Sequence, residues 1–277
     1  MVSATEIKPA VILQPYVRCY ALRVFNTGES VLQKPLHALN ECYMTFFLKD
    51  KFCYSIEENG RKKKVSDNVY FLSTQSAGCG YFKGDFILFN IEFKANGFFA
   101  VFGIPQKILM NTFLRAEDIF GNDYSVMREQ LESSQDIAEL GMYMDTYLVT
   151  KLLAQKHKHY TPVIANVANN ILKNNGLASI DSLALYANMS LRNFERRFIN
   201  EVGMPPKLFM RITRFYTALQ DKMIDPQKSW TSICYNRGYF DQAHLIKEFR
   251  EFTSKAPEEL FRITPLLKES FSEKVEL

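Results

Sequence analysis

Arg192, Glu195 and Arg196 are three and four residues apart, so a helix would gather them on one face, away from Phe194 and Phe198. Two guanidinium forks beside a carboxylate suit recognition chemistry. They offer paired hydrogen bonds to the edge of a base or to a phosphate, and they have no nucleophile to activate. Residues suited to covalent or metal chemistry are sparse. Cys79, between Gly78 and Gly80, lacks a basic neighbour that would lower its pKa, so an unreactive thiol in a loop is expected. Only His37 precedes residue 157, too few histidines for a His-rich metal site in the first half. His157 and His159 stand among lysines and read as a solvated charge run. The chain has no Gly-x-Ser-x-Gly elbow, no phosphate-binding glycine loop, and no serine or cysteine with an obvious histidine partner. The expectation is a protein that is not an enzyme, with no catalytic residue, metal or cofactor.

The recognition face needs elements to present it, and residues 180 to 257 supply them twice. The first copy has Leu183-Ala184, then Asn188-Met189-Ser190, then Phe194 and Phe198; the second has Ile233-Cys234, then Gly238-Tyr239, then Leu245 and Phe249. An apolar-plus-small pair, a residue tolerant of positive φ and two apolar residues four apart describe a helix, a tight turn and a crossing helix. Asn188 accepts the left-handed conformation, and Ser190 and Asp241 are suited to cap the second helix of each unit. Ala184 lets that helix cross closely. Ahead of the first unit, Val163 to Asn174 has helical spacing and stops at Asn174-Asn175-Gly176, with Ser179-Ile180-Asp181 as the next cap. Between the units, Pro205-Pro206 opens a helix striped by Leu208, Ile212, Phe215 and Leu219, which Asp225-Pro226 ends. Two helix-turn-helix units on one rod are expected, with the face of Arg192, Glu195 and Arg196 offered to a major groove.

The series Ser190, Phe194, Arg196, Phe198, Gly203, Pro206, followed by Gly238, Tyr239, Asp241, Leu245, Phe249 and Pro257, closely resembles the DNA-binding domain of AraC-type transcriptional regulators. The resemblance covers roughly residues 160 to 262. It implies two recognition helices in successive major grooves, roughly 34 Å apart on one face of double-stranded DNA. Carried over by position, Arg192, Glu195 and Arg196 would read bases from the first unit, Arg196 foremost because guanidinium pairs bidentately with guanine. Gln242, Ala243, His244, Ile246 and Lys247 would present the corresponding face of the second, while Asn193, Arg197 and Arg250 would contact phosphate. Three departures stand out. Ser254 replaces a glycine usual in the family, Ala243 and Ile246 cannot hydrogen-bond through their side chains, and Lys247 replaces a more usual arginine. The second unit is therefore expected to anchor more than it discriminates.

The first half has a different grain. Tyr43 to Leu48, Phe52 to Ile56, Val69 to Leu72 and Phe86 to Phe93 are short runs rich in aromatic and β-branched residues, as strands are. Asn59-Gly60 is a hairpin signal, and Gly78, Gly80 and Gly84 suggest further bends. This half loosely resembles the family's sensor, a small β-barrel of cupin-like form. Phe46, Phe47, Phe71, Phe86, Phe89 and Phe93, with Tyr43, Tyr54, Tyr70 and Tyr81, are enough to fill a core or line an apolar pocket for a small-molecule effector. Arg18, Arg23 and Lys83 could meet an anionic ligand or simply be solvated. Past Asn122 a period of three to four, from Val126 to Leu152, marks one or two amphipathic helices that either cover the sheet or pair with a second subunit as a homodimer.

The fold class expected is α+β: a β domain over 1–154 with helices at its C-terminal end, a polar linker over 155–162, an all-α double helix-turn-helix domain over 163–262, and a tail over 263–277. The chain of 277 residues is 47% hydrophobic and 23% charged, values of an ordinary globular protein. Its five scattered cysteines argue against a disulfide framework or a zinc site. No apolar run reaches the ~18 residues needed to cross a bilayer, and no secretion signal opens the chain, so no membrane contact and a cytoplasmic location are expected. The net charge of +4 is concentrated where the repeat lies: residues 163–262 hold 14 Lys and Arg against 10 Asp and Glu. The leading expectation is a sequence-specific transcriptional regulator with a ligand-sensing first half. The alternative is a non-enzymatic adaptor whose basic helices meet an acidic protein.

Overall fold

The computed structural model describes residues 2–49, 53–56, 62–65, 69–72, 78–110, 116–156 and 162–263. The first half is built on seven antiparallel strands: β1 (Val2–Ile7), β2 (Val17–Leu36), β3 (Cys42–Lys49), β4 (Cys53–Ile56), β5 (Lys62–Val65), β6 (Val69–Leu72) and β7 (Gly78–Phe93). The order is β1-β2-β7-β3-β6, with β4 beside the first part of β7 and β5 beside β4. β7 is the spine. Its second part pairs with β3 (Phe46 with Phe89) and its first part with β4 (Tyr54 with Tyr81), while β2 runs along its other edge from Val17 to Leu36.

The two faces of this sheet differ because side chains alternate along each strand. Tyr20, Met44, Phe46, Phe89, Ile91 and Phe93 form one face, packed under helices α1 (Gly97–Phe102), α2 (Ala116–Phe120), α3 (Asn122–Glu132) and α4 (Ile137–Lys156). Leu140, Met144, Leu148 and Leu152 of α4 are essentially inaccessible, so this helix covers its own sheet. It also leaves Met142, Tyr143 and Leu153 exposed on the outside. The other face, Arg23, Phe25, Tyr43, Thr45, Phe47, Phe86, Asn90 and Glu92, is buried and far more polar.

Three expectations meet the structure differently. Gly78 and Gly80 lie within β7 rather than at bends, and Cys79 pairs with Pro35 in that strand rather than sitting in a loop. Gly84 does adopt positive φ, at 91°. Asn59-Gly60 and His157-x-His159 lie outside the described residues, although β4 and β5 on either side of Asn59-Gly60 do pair antiparallel. The side chains of Tyr54, Tyr70 and Phe71 are likewise outside the description.

The second half is all helix: α5 (Val163–Lys173), α6 (Ile180–Tyr186), α7 (Leu191–Val202), α8 (Pro206–Ile224), α9 (Trp230–Asn236), α10 (Gln242–Thr253) and α11 (Pro257–Ile263). Its core runs continuously through Leu183, Phe194, Phe198, Phe209, Phe215, Leu245, Phe249 and Phe252. The duplication is visible in single hydrogen bonds. Met189 N–H donates to Ala184 O and Tyr239 N–H to Cys234 O, both at 3.0 Å, closing the same turn in each unit. Asn188 has φ 52° and Gly238 φ 65°. Before the turn the caps Ser179 and Ser229 are 50 residues apart; after it Ser190 and Asp241 are 51 apart. The second turn is therefore longer by one residue. Phe240, 86% exposed, sits in that longer turn.

Candidate nucleic-acid interface

Both second helices begin on a side-chain cap. Ser190 Oγ accepts from Asn193 N–H at 3.4 Å, and Asp241 Oδ1 accepts from His244 N–H at 2.7 Å. Such caps satisfy amides that have no partner within the helix and fix where the helix starts. α7 is seated on α8 by the edge-on contact of Phe198 with Phe209, and within α7 Phe194 lies edge-on to Phe198. α10 is seated by Phe249 on Phe215 and Trp230.

With those faces inward, Arg192, Glu195 and Arg196 are exposed together on α7. Arg196 donates to Asn193 Oδ1 at 2.8 Å, a surface contact that a base edge could replace at small cost. Arg197 is committed elsewhere: its guanidinium grips Glu201 at 2.7 and 2.9 Å. Burial pushes the Glu201 carboxyl upward, and the guanidinium offsets only part of that. On α10, Gln242, Ala243, Lys247 and Arg250 are exposed, but Ile246 and His244 are partly buried. The His244 ring lies edge-on to Tyr239, with Nε2 3.5 Å from Glu248 Oε1. The structure thus gathers the expected residues on two exposed helix faces, except that His244 leans back toward α8 and Arg197 is tied within α7.

Sequence reasoning missed a charged cluster beneath α10. Glu248, 1% exposed, accepts from Arg211 Nε at 2.7 Å and from an Arg214 terminal nitrogen at 2.9 Å, and Arg211 also reaches Glu251 at 2.6 Å. The signal was present: arginines three apart on one helix match glutamates three apart on another. It also missed the contacts from the first half. Gln106 Nε2 donates at 3.0 Å to both Ala95 O and Val202 O, the latter at the end of α7. Ala38 N–H donates to Phe252 O near the end of α10 at 3.1 Å, and Tyr216 Oη–H donates to Ala38 O at 2.9 Å. No spacing rule reveals these.

Residues 183–263 match a family described as a helix-turn-helix domain. The C-terminal domain is a helix-turn-helix domain of the AraC type. That makes the chain a DNA-binding transcription regulator, and the α+β architecture agrees with the expected class. Among curated proteins, none matches the chain. Among solved structures, ToxT from Vibrio cholerae is similar over 88% of this chain and 98% of its own, at 9% identity and a TM-score of 0.49. Unsaturated fatty acid-bound ToxT from Vibrio cholerae strain SCE256 covers 87% of this chain and 94% of its own at 10% identity, TM-score 0.46. The AraC-like transcriptional activator CuxR covers 97% and 86% at 11% identity, TM-score 0.22. No described helix of this regulator is long and apolar enough to cross a membrane.

Outside the AraC-type domain, one group of described residues could bring three metal-ligating atoms together: Glu6, Cys19 and Glu92. Its chemistry is unsuited to a cation. Arg18 and Arg23 both pair with Glu92, and burial pushes the Cys19 thiol up to about 12, so it stays protonated.

Proposed function

We propose that this regulator reads two successive major grooves, with α7 as the discriminating helix and α10 as the anchor, under control of a small molecule held by the first half. Arg192, Glu195 and Arg196 read bases; Ala243, Ile246 and Lys247 stand 51 residues later, where they offer methyl contact and one point charge. Gln242 and His244 complete the second face, and Asn193, Arg197 and Arg250 meet phosphate. The domains are 1–154 and 163–262, joined through 155–162, with 263–277 as a tail.

The ligand belongs on the polar inner face of the sheet. There Asn90 Oδ1 is buried without a hydrogen-bond partner among the described residues, close to Thr45 and in the same layer as Arg23. A small molecule bearing a hydrogen-bond donor would satisfy that oxygen. The observation that carries the coupling is where the two recognition helices end. Carbonyls in a helix's last turn have no partner within it, and here Val202 O and Phe252 O take theirs from Gln106 and Ala38 of the first half. A change in the sensor therefore reaches both readers. The exposed Met142, Tyr143 and Leu153 of α4 support a homodimer as a further part of this reading.

The test is selection of a site from random duplex DNA by the purified chain, followed by mobility shift. Arg196→Ala should cost ~1–3 kcal/mol on the selected site and relax the preference at one base pair. An equal loss on every sequence would make Arg196 a phosphate contact. No preference over competitor DNA would favour an acidic protein as the partner of these helices.

A further inference from the structure

The two units are not mounted on α8 in the same way. α7 rests on it through aromatic side chains, and its one buried carboxylate, Glu201, is paired within α7 itself. α10 adds a charged joint. Glu248 Oε1 receives one hydrogen bond from Arg211 and one from Arg214, both of α8, and Arg214 also lies over the Tyr239 ring, with its guanidinium carbon 4.6 Å from the centroid. Tyr239 directly follows the turn glycine of the second unit. One carboxylate therefore ties the turn, the recognition helix and the connecting helix together.

Hydrophobic residues of similar volume would give as much stability as a buried ion pair, or more. What the ion pair supplies is direction. Charge-assisted bonds of 2.7 and 2.9 Å break when α10 rolls on α8, whereas rings can slide. The need for such a joint is visible beside it. A groove of about 810 Å³, open to solvent, separates the α5–α6 loop from α10 along α8. Across the gap the two units touch through Leu177, which meets the turn at Gly238. On that side the groove leaves room for α10 to tilt, and the bonds from Glu248 to α8 oppose that movement.

We propose that Glu248 is a positioning residue for DNA reading: it locks the roll of α10 on α8 and so fixes the spacing between the two half-sites the regulator accepts. The inference rests on the two-groove reading above. The experiment uses the full chain, the site it selects from random duplex DNA, and the same site lengthened by one base pair between its halves. For the native chain the lengthened site should bind markedly more weakly. Glu248→Gln keeps the shape and removes the charge; it should weaken binding to the selected site about tenfold, equivalent to ~1.4 kcal/mol, and should shrink the penalty for the added base pair. The cost of base changes under α7 should stay as it was. Arg211→Met, which leaves the Arg214 bond to Glu248, should shrink the penalty less, and it stands in if Glu248→Gln does not fold. An unchanged spacing penalty, with both sites weakened equally, would overturn the proposal and leave Glu248 a purely structural residue. If the native chain selects no site at all, it is the two-groove reading that has failed.

Discussion

Ser254 ends α10 with φ 61° and ψ 11°, the left-handed cap that Gly203 provides for α7. Its amide donates to Arg250 O at 2.8 Å, so the cap is formed in full, but with a side chain that the conformation penalises. Ser254→Gly should therefore raise stability by about 0.5–1 kcal/mol, read as a higher denaturant midpoint at unchanged slope. A lower midpoint would mean that the serine hydroxyl does something the cap alone does not explain. Asp221 is a second residue whose surroundings give a signed expectation. Burial pushes its carboxyl up, but Arg237 and Lys228 outweigh that, and the group titrates below its ordinary 3.8. A depressed carboxylate stabilises the fold above the ordinary value and loses that contribution as pH falls through the folded value. The melting temperature should accordingly drop on acidification below about pH 4, and Asp221→Asn should flatten part of that drop while costing ~1–3 kcal/mol at neutral pH. Equal pH profiles for variant and native chain would remove Asp221 from the account.

At the scale of elements, the C-terminal helices were legible because their signals are local. Ser190, Asn188, Gly203 and Pro206 each demand a particular backbone, and each has it. Four strands were legible as runs of aromatic and β-branched residues, and two of them, Tyr43 to Leu48 and Phe86 to Phe93, bury both faces of the strand. β1 escaped notice because Ser3 to Glu6 are exposed on an edge and show no apolar alternation. β2 escaped because Gly28-Glu29-Ser30 look like a turn, yet the strand passes through them on an irregularity between Asn26 and Val31. The pairing of Glu248 with Arg211 and Arg214 was present as charge spacing, but nothing local says that two helices 37 residues apart will cross there. The caps give this scale its own prediction. Ser190→Ala and Asp241→Ala should each cost ~1 kcal/mol, and the second should loosen α10 more, since its cap bond is 2.7 Å against 3.4 Å. Hydrogen exchange over residues 191–194 and 242–245 checks it; equal protection in both variants and the native chain would show that packing alone sets these starts.

Across the whole molecule, α7 and α10, the helices proposed to read DNA, are held at both ends by different halves of the chain. Their starts are capped within the AraC-type domain and their ends are met by the first half. Gln106→Ala removes the donor to Val202 O, next to Gly203, where even a Cβ would press on Met110 and the Gln106 carbonyl. Affinity for the selected site should change by a few-fold, and cleavage between residues 103 and 110 by a protease should speed up as the seam loosens. Unchanged affinity and unchanged cleavage would show that this seam does not bear on DNA binding. The sequence made the existence of two such halves legible; how they meet depends on tertiary approach and on residues, such as Gln106, with no motif around them.

That seam is written mostly in main-chain atoms. Ala38, Ala95, Val202 and Phe252 enter it through carbonyls and one amide, which almost any residue type supplies equally well. Their side chains are all buried, so a comparison of related sequences, side chain by side chain, would read those four positions as core and pass over the join. Proline at position 38 is the exception, because it alone lacks the amide hydrogen that Phe252 O receives.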